Sequence, residues 1–226
     1  SGDLVNSNLL MYDRETDNRW PQILGQSILT PQGESIEETP LEWTTWGRWR
    51  ALHPDTLVLS TDTGYIRNYG SDPYGSYDPL AGYYREGSPR FFPVMHEDPR
   101  FDDKEVVVGA KVGTSFGDPR LAVRKDLVKR ERVVAARMGG EPVVVLYDPT
   151  LELARVYLAR SGPRTLELSP GDRQGEYLER RTGSVVDAEG RGVAGQLTGT
   201  SLQRLVSYDV MWFAWVAFFP HTEVAG

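Results

Sequence analysis

The chain has 226 residues, no cysteine, and 25 basic against 32 acidic side chains, a formal charge of −7. That balance argues against a protein whose work is gripping phosphate backbones, which needs clustered Lys and Arg. The missing thiols remove disulfide scaffolds, thiolate zinc sites, iron–sulfur clusters and thiol nucleophiles.

In chain order, the first helix signal is Thr44-Thr45 followed by Trp46, Trp49 and Leu52 or His53 on one face, with Pro54 ending it. Thr56-Leu57-Val58-Leu59-Ser60 then reads as a strand. Residues 61–104 are rich in Gly, Pro, Tyr and Asp, a composition for a functional loop or one packed by its own side chains. Valine-rich strands are predicted over 105–112 and 142–147, with a charged turn or short helix over 124–132 between them. Trp212, Trp215, Val216 and Phe219 then line one face of a second helix, stopped by Pro220. The apolar run Val210 to Phe219 is half the roughly 20 residues a bilayer span requires, so it reads as core and no transmembrane segment is expected.

Residues 14–58 align without a gap on 180–224, an offset of 166. The pairs include Arg14 with Arg180, Thr16 with Thr182, Gly33 with Gly199, Trp46 with Trp212, Trp49 with Trp215, Pro54 with Pro220 and Thr56 with Thr222. Tryptophan is scarce, and four of the six fall in this pairing. The expectation is a β-rich α+β protein of two pseudo-repeated units: mixed sheet with short Trp-bearing helices, the first unit truncated at its N-terminus. Residues 1–60 are the C-terminal half of unit 1, 61–104 a Tyr/Pro/Gly-rich connection, and 105–226 unit 2, together one compact body. Unit 2 opens near Glu105, which places the front of unit 1 about 60 residues before Ser1. A partner chain, or the protein's own N-terminal part, is therefore expected near residues 1–30, covering an open edge. Whether Ser1 is the encoded start or a processing product is open.

The segments Tyr12-Asp13-Arg14-Glu15-Thr16 with Trp20, Thr45-Trp46-Gly47-Arg48-Trp49, His53-Pro54-Asp55-Thr56, Asp72-Pro73-Tyr74-Gly75 and Trp212-Phe213-Ala214-Trp215 closely resemble the prokaryotic family catalogued as domain of unknown function 3179. The resemblance spans nearly the whole chain and implies a fold more than an activity. It also implies an exported or envelope-associated protein in the periplasm or cell envelope, whose signal is not part of this chain. Members of that family usually carry a Tyr-Cys-Pro-x-Cys-type segment upstream. Here the matching place in the second unit reads Leu146-Tyr147-Asp148-Pro149-Thr150, so no cysteine chemistry is available.

The candidate catalytic group is His53, Asp13, Arg14 and Asp62. A His beside a carboxylate shuttles protons near neutrality, and an Arg holds an anion bidentately. The bland alternative is a helix-end histidine and a structural Asp13–Arg14 turn, favoured because Arg14 recurs as Arg180. Asp62-Thr63-Gly64 matches an aspartic-protease turn, yet one copy supplies one carboxylate where the chemistry needs two. The histidines, His53, His96 and His221, have no metal-ligand spacing. No cofactor is expected; the alternative is calcium on the oxygen ligands of His96-Glu97-Asp98 and Asp102-Asp103. Tyr65, Tyr69, Tyr74 and Tyr77 are the candidate binding residues, since Tyr offers rigid area with a polar tip. The composite expectation is a non-catalytic structural or interaction subunit of an exported assembly. The alternative is a hydrolase-like enzyme with its site around Asp13, Arg14, His53 and Asp62.

Overall fold

The computed structural model describes residues 2–30, 34–72, 74–77, 80–115 and 117–225; Gly33, Pro73 and the Tyr77 side chain, all named above, lie outside what is described. The chain opens with an antiparallel sheet of β1 (Leu4–Val5), β2 (Asn8–Tyr12) and β3 (Arg19–Pro21). Helix α1 (Trp46–Leu52) follows, then a hairpin of β4 (Gly75–Tyr77) and β5 (Leu80–Gly82). The remainder is β6 (Val106–Lys111), β7 (Arg120–Arg124), α2 (Lys125–Glu131), β8 (Val133–Met138), β9 (Glu141–Asp148) and β10 (Leu153–Leu158). Then come β11 (Arg160–Ser161), β12 (Arg164–Thr165), β13 (Leu168–Pro170), β14 (Glu176–Glu179), β15 (Val185–Asp187) and β16 (Gly192–Ala194). A 3-10 turn (Gly195–Leu197), β17 (Val206–Met211), α3 (Trp212–Val216) and β18 (Glu223–Ala225) close it. The protein is therefore β-rich, with several sheets and a few short helices.

The valine runs become interior strands because both faces of their sheets are covered, which removes the polar alternation of a half-exposed strand. In the sheet ordered β17-β6-β7-β18, Val108, Ala110, Leu121 and Val123 face the β10-β9-β8 sheet through Val143, Val145 and Val156. The intervening Val107 and Ala122 point the other way, onto Trp212, Trp215, Ile23 and Leu24. On β9 the alternation continues: Val144 and Leu146 meet Tyr157, Tyr177, Val186 and Leu197 beneath the β13-β14-β15-β16 sheet. Pairing is antiparallel throughout except where β18 lies parallel to β7.

Buried ion pairs fasten residues 23–48 to this body. The Lys111 ammonium, 2% exposed, donates to the Ile23 carbonyl at 2.8 Å and pairs with Glu38 at 2.6 Å. Arg155 donates to Glu42 and to Asp148, each at 2.7 Å, and Arg204 reaches Glu42 at 2.8 Å. Removing one partner of such a pair strands the other charge away from water, at a cost of about 3–5 kcal/mol. Nearby, the Thr44 hydroxyl donates to the Leu151 carbonyl at 2.6 Å, and Arg48 pairs with Glu152 at 2.9 Å.

Two stretches 166 residues apart share local geometry. Leu10, Met11 and Tyr12 face Pro21, Trp20 and Arg19, while Glu176, Tyr177 and Leu178 face Asp187, Val186 and Val185. In the turns that follow β2 and β14, the Asp13 carboxylate accepts from the Thr16 hydroxyl at 2.6 Å, and the Glu179 carboxylate from the Thr182 hydroxyl at 2.6 Å. One expected element does not form: residues 56–60 are not in a strand. No strand among the described residues pairs with it, and a single extended segment leaves its N–H and C=O groups to water and gains nothing from its β propensity.

Candidate interaction surface

Helix α1 begins at Thr45, whose hydroxyl accepts from the Arg48 amide at 3.4 Å, and ends at His53, whose amide donates to the Trp49 carbonyl at 2.8 Å. The Trp49 indole N–H donates to the Thr56 hydroxyl at 3.0 Å, and the Trp49 and His53 rings stack with centroids 4.1 Å apart. The same constellation closes the chain. The Trp215 indole N–H donates to the Thr222 hydroxyl at 3.0 Å, and Trp215 meets Phe219 at 4.5 Å.

Their surroundings are opposite. Trp212 and Trp215 are 0% exposed, sealed against Val107, Ala122 and Ile23, whereas α1 has no buried residue. The residues after Trp49 continue this exposure: Leu57 is 94% and Leu59 95% exposed, and Val58, Tyr65 and Ile66 are also open. Singly exposed apolar side chains are ordinary, but Trp46, Leu52, Leu57, Val58 and Leu59 are consecutive features of one helix and its following segment.

The tyrosine-rich stretch divides in two. Thr61, Tyr65, Ile66, Arg67, Tyr69 and Gly70 line an open hollow of about 490 Å³, in which the Tyr69 and Thr63 hydroxyls lie 2.7 Å apart. Farther on, the stretch packs on itself and on α3. Tyr83 stacks on Phe91 at 4.4 Å and meets Tyr74 edge-on at 6.5 Å, while Phe101 meets Trp212 at 5.0 Å. Of the candidate binding residues, Tyr65 and Tyr69 line the hollow and Tyr74 belongs to the self-packed part. Tyr77 lies in β4 with its side chain outside what is described.

Among the described residues, no hydrogen bond or ion pair joins any two of Asp13, Arg14, His53 and Asp62. Asp13 is occupied within its own turn, accepting from the Glu15 amide at 2.8 Å and from Thr16; the Thr16 hydroxyl and amide hold its carboxyl below the usual range. His53 is exposed and stacked on Trp49, and the Asp62 amide donates to the Ser60 hydroxyl at 3.0 Å. Among the described residues, no group of three or more His, Asp or Glu is placed to hold a metal ion. Of the carboxylates named for calcium, Glu97 and Asp103 pair with Arg90, and Asp98 with Arg100.

One titratable group escaped the sequence reading. Lys104, two residues before β6, is 1% exposed, its ammonium makes no hydrogen bond, and it lies 3.0 Å from the centre of the Tyr83 ring. Burial pushes it down to about 8 against the opposing pull of Asp103. It borders a cleft of about 980 Å³ with Glu86, Ser88, Glu97, Asp98 and Asp103. The only sequence signal was a Lys two residues before a valine-rich strand, where a cation is forced against the core.

No helix among the described residues is long and apolar enough to cross a membrane. No curated protein and no solved structure matches the chain. The paired Trp-x-x-Trp segments, the Asp13–Thr16 turn and the exposed tyrosines instead lie within a match that runs over residues 1–222, and the chain belongs to the family described as Protein of unknown function (DUF3179).

Proposed function

We propose that the chain is a non-catalytic interaction subunit of an exported or envelope-associated assembly, built from two related units and docking through its N-terminal part. The observation that carries this reading is the exposed apolar tract formed by α1 and residues 57–59. Covering Leu57, Val58 and Leu59 gains about 1.5–3 kcal/mol per side chain, enough for a specific contact once ordering costs are met. The two-unit reading is supported by the matched β2–β3 and β14–β15 registers, the carboxylate–Thr turns, and the two indole–Thr bonds of 3.0 Å. The scattering of Asp13, His53 and Asp62 into separate local interactions favours docking over hydrolysis.

The test is native mass spectrometry of the protein isolated from the cells that make it, beside a Leu57→Glu/Leu59→Glu variant. A polypeptide that travels with the unaltered chain and is lost from the variant is the expected result. A chain that is alone in both preparations overturns the proposal.

A further inference from the structure

We propose that the exposed tract of α1 and residues 57–59 is one half of an interface whose other half is an apolar antiparallel β-hairpin of the β6–β7 kind, supplied from outside residues 1–226. This rests on the two-unit reading and names the partner it calls for.

In the second unit, the segment after the Trp helix is a strand. Glu223, Val224 and Ala225 lie parallel to Leu121, Ala122 and Val123 of β7. The helix itself sits on β6 at a glycine: a Cβ added to Gly109 would stand 2.5 Å from the Trp215 ring, so the indole and any larger residue cannot share that place. Val107 and Ala122 complete a small-residue floor under Trp212 and Trp215.

Moving 166 residues back puts Leu57, Val58 and Leu59 in the places of Glu223, Val224 and Ala225, and Trp46 and Trp49 in those of Trp212 and Trp215. The local bonds that aim the helix and the following segment are already made, with Thr56 on the Trp49 indole and on the His53 carbonyl. What is absent among the described residues is a neighbour: residues 57–59 make no backbone hydrogen bond, and their side chains are open. Leu-Val-Leu is more apolar than the Glu-Val-Ala of the edge strand β18, which suits a segment covered by its partner.

The chemistry of that partner follows from the second unit: a free edge that accepts a parallel strand, apolar side chains toward α1, and a glycine beneath Trp49. A second copy of this chain cannot offer one intact, because the outer edges of its β6 and β7 are already taken by β17 and β18.

The experiment mixes the 226-residue chain with a synthetic peptide of residues 104–125, a hairpin probe with both edges free, and reads hydrogen exchange at the amides of residues 57–59. The peptide is expected to protect those amides at a one-to-one ratio, and a Gly109→Val peptide to bind about tenfold more weakly or worse, because overpacking under the indole is penalised. The proposal is overturned if the peptide leaves 57–59 unprotected, if Gly109→Val binds as well, or if the chain alone protects 57–59 by self-association, which makes a second copy the occupant. Failure here together with a co-purifying polypeptide that Leu57→Glu/Leu59→Glu releases removes the hairpin and leaves the interaction function standing.

Discussion

Helices α1 and α3 carry the same indole–threonine clasp and the same proline stop, yet one is open to solvent and the other holds two tryptophans away from any water. The clasp is local chemistry, written within eleven residues, and forms in both places. Burial is not local: it depends on β6 and β7, which lie about a hundred residues before α3, and no such pair of strands lies beside α1 among the described residues. A short helix keeps its conformation through caps and side-chain bonds, but draws most of its stability from the surface it covers.

The strongest way to break this comparison is to remove each indole. Trp215→Ala is expected to cost about 3–5 kcal/mol in urea unfolding, a large part of a typical domain's stability. Trp49→Ala is expected to cost under about 1 kcal/mol in the isolated chain, since no residue of α1 is buried. Equal losses contradict the assignment of α1 as an uncovered surface. A finer cut removes only the acceptor. Thr222→Val leaves the Trp215 N–H unpaired in the core, at about 1–3 kcal/mol, while Thr56→Val stays within about 0.5 kcal/mol because water replaces the hydroxyl. Matched urea midpoints for the four variants check both pairs. The smallest global effect belongs to Thr45→Ala. It removes the cap of α1, worth about 1 kcal/mol to that helix, and should speed amide exchange at Arg48 and Trp49 without moving the urea midpoint. Helix α3 starts at Met211 with no side-chain cap, so packing alone starts it.

Much of the fold was readable because its signals are short-range. The α1 stripe, its Thr45 cap, the β6 and β9 valine runs and the helix within 124–132 each follow from propensity and periodicity. Residues 57–59 show where that reading stops. Leu-Val-Leu has strand chemistry, but a strand needs an edge, and edges are set by the tertiary arrangement. The tyrosines divide for a similar reason. Tyr83 packs on Phe91 and under the Lys104 ammonium, while Tyr65 and Tyr69 line the open hollow. Asp13 and His53, candidates for one site by residue type, each meet partners within four positions along the chain, a local arrangement that residue type alone does not reveal. Lys104 could not be recognised from spacing at all, because its isolation from hydrogen-bond partners is a property of the rings that close over it.

The ion pairs of Lys111 with Glu38 and of Arg155 with Glu42, together with Ile23 and Leu24 in the core, hold the first forty-odd residues to the body independently of the peptide backbone between 57 and 70. A protease cut in that exposed stretch therefore does not release a fragment. The nicked protein is expected to stay assembled as two polypeptides on gel filtration, since its covalent continuity and its structural continuity run along different paths.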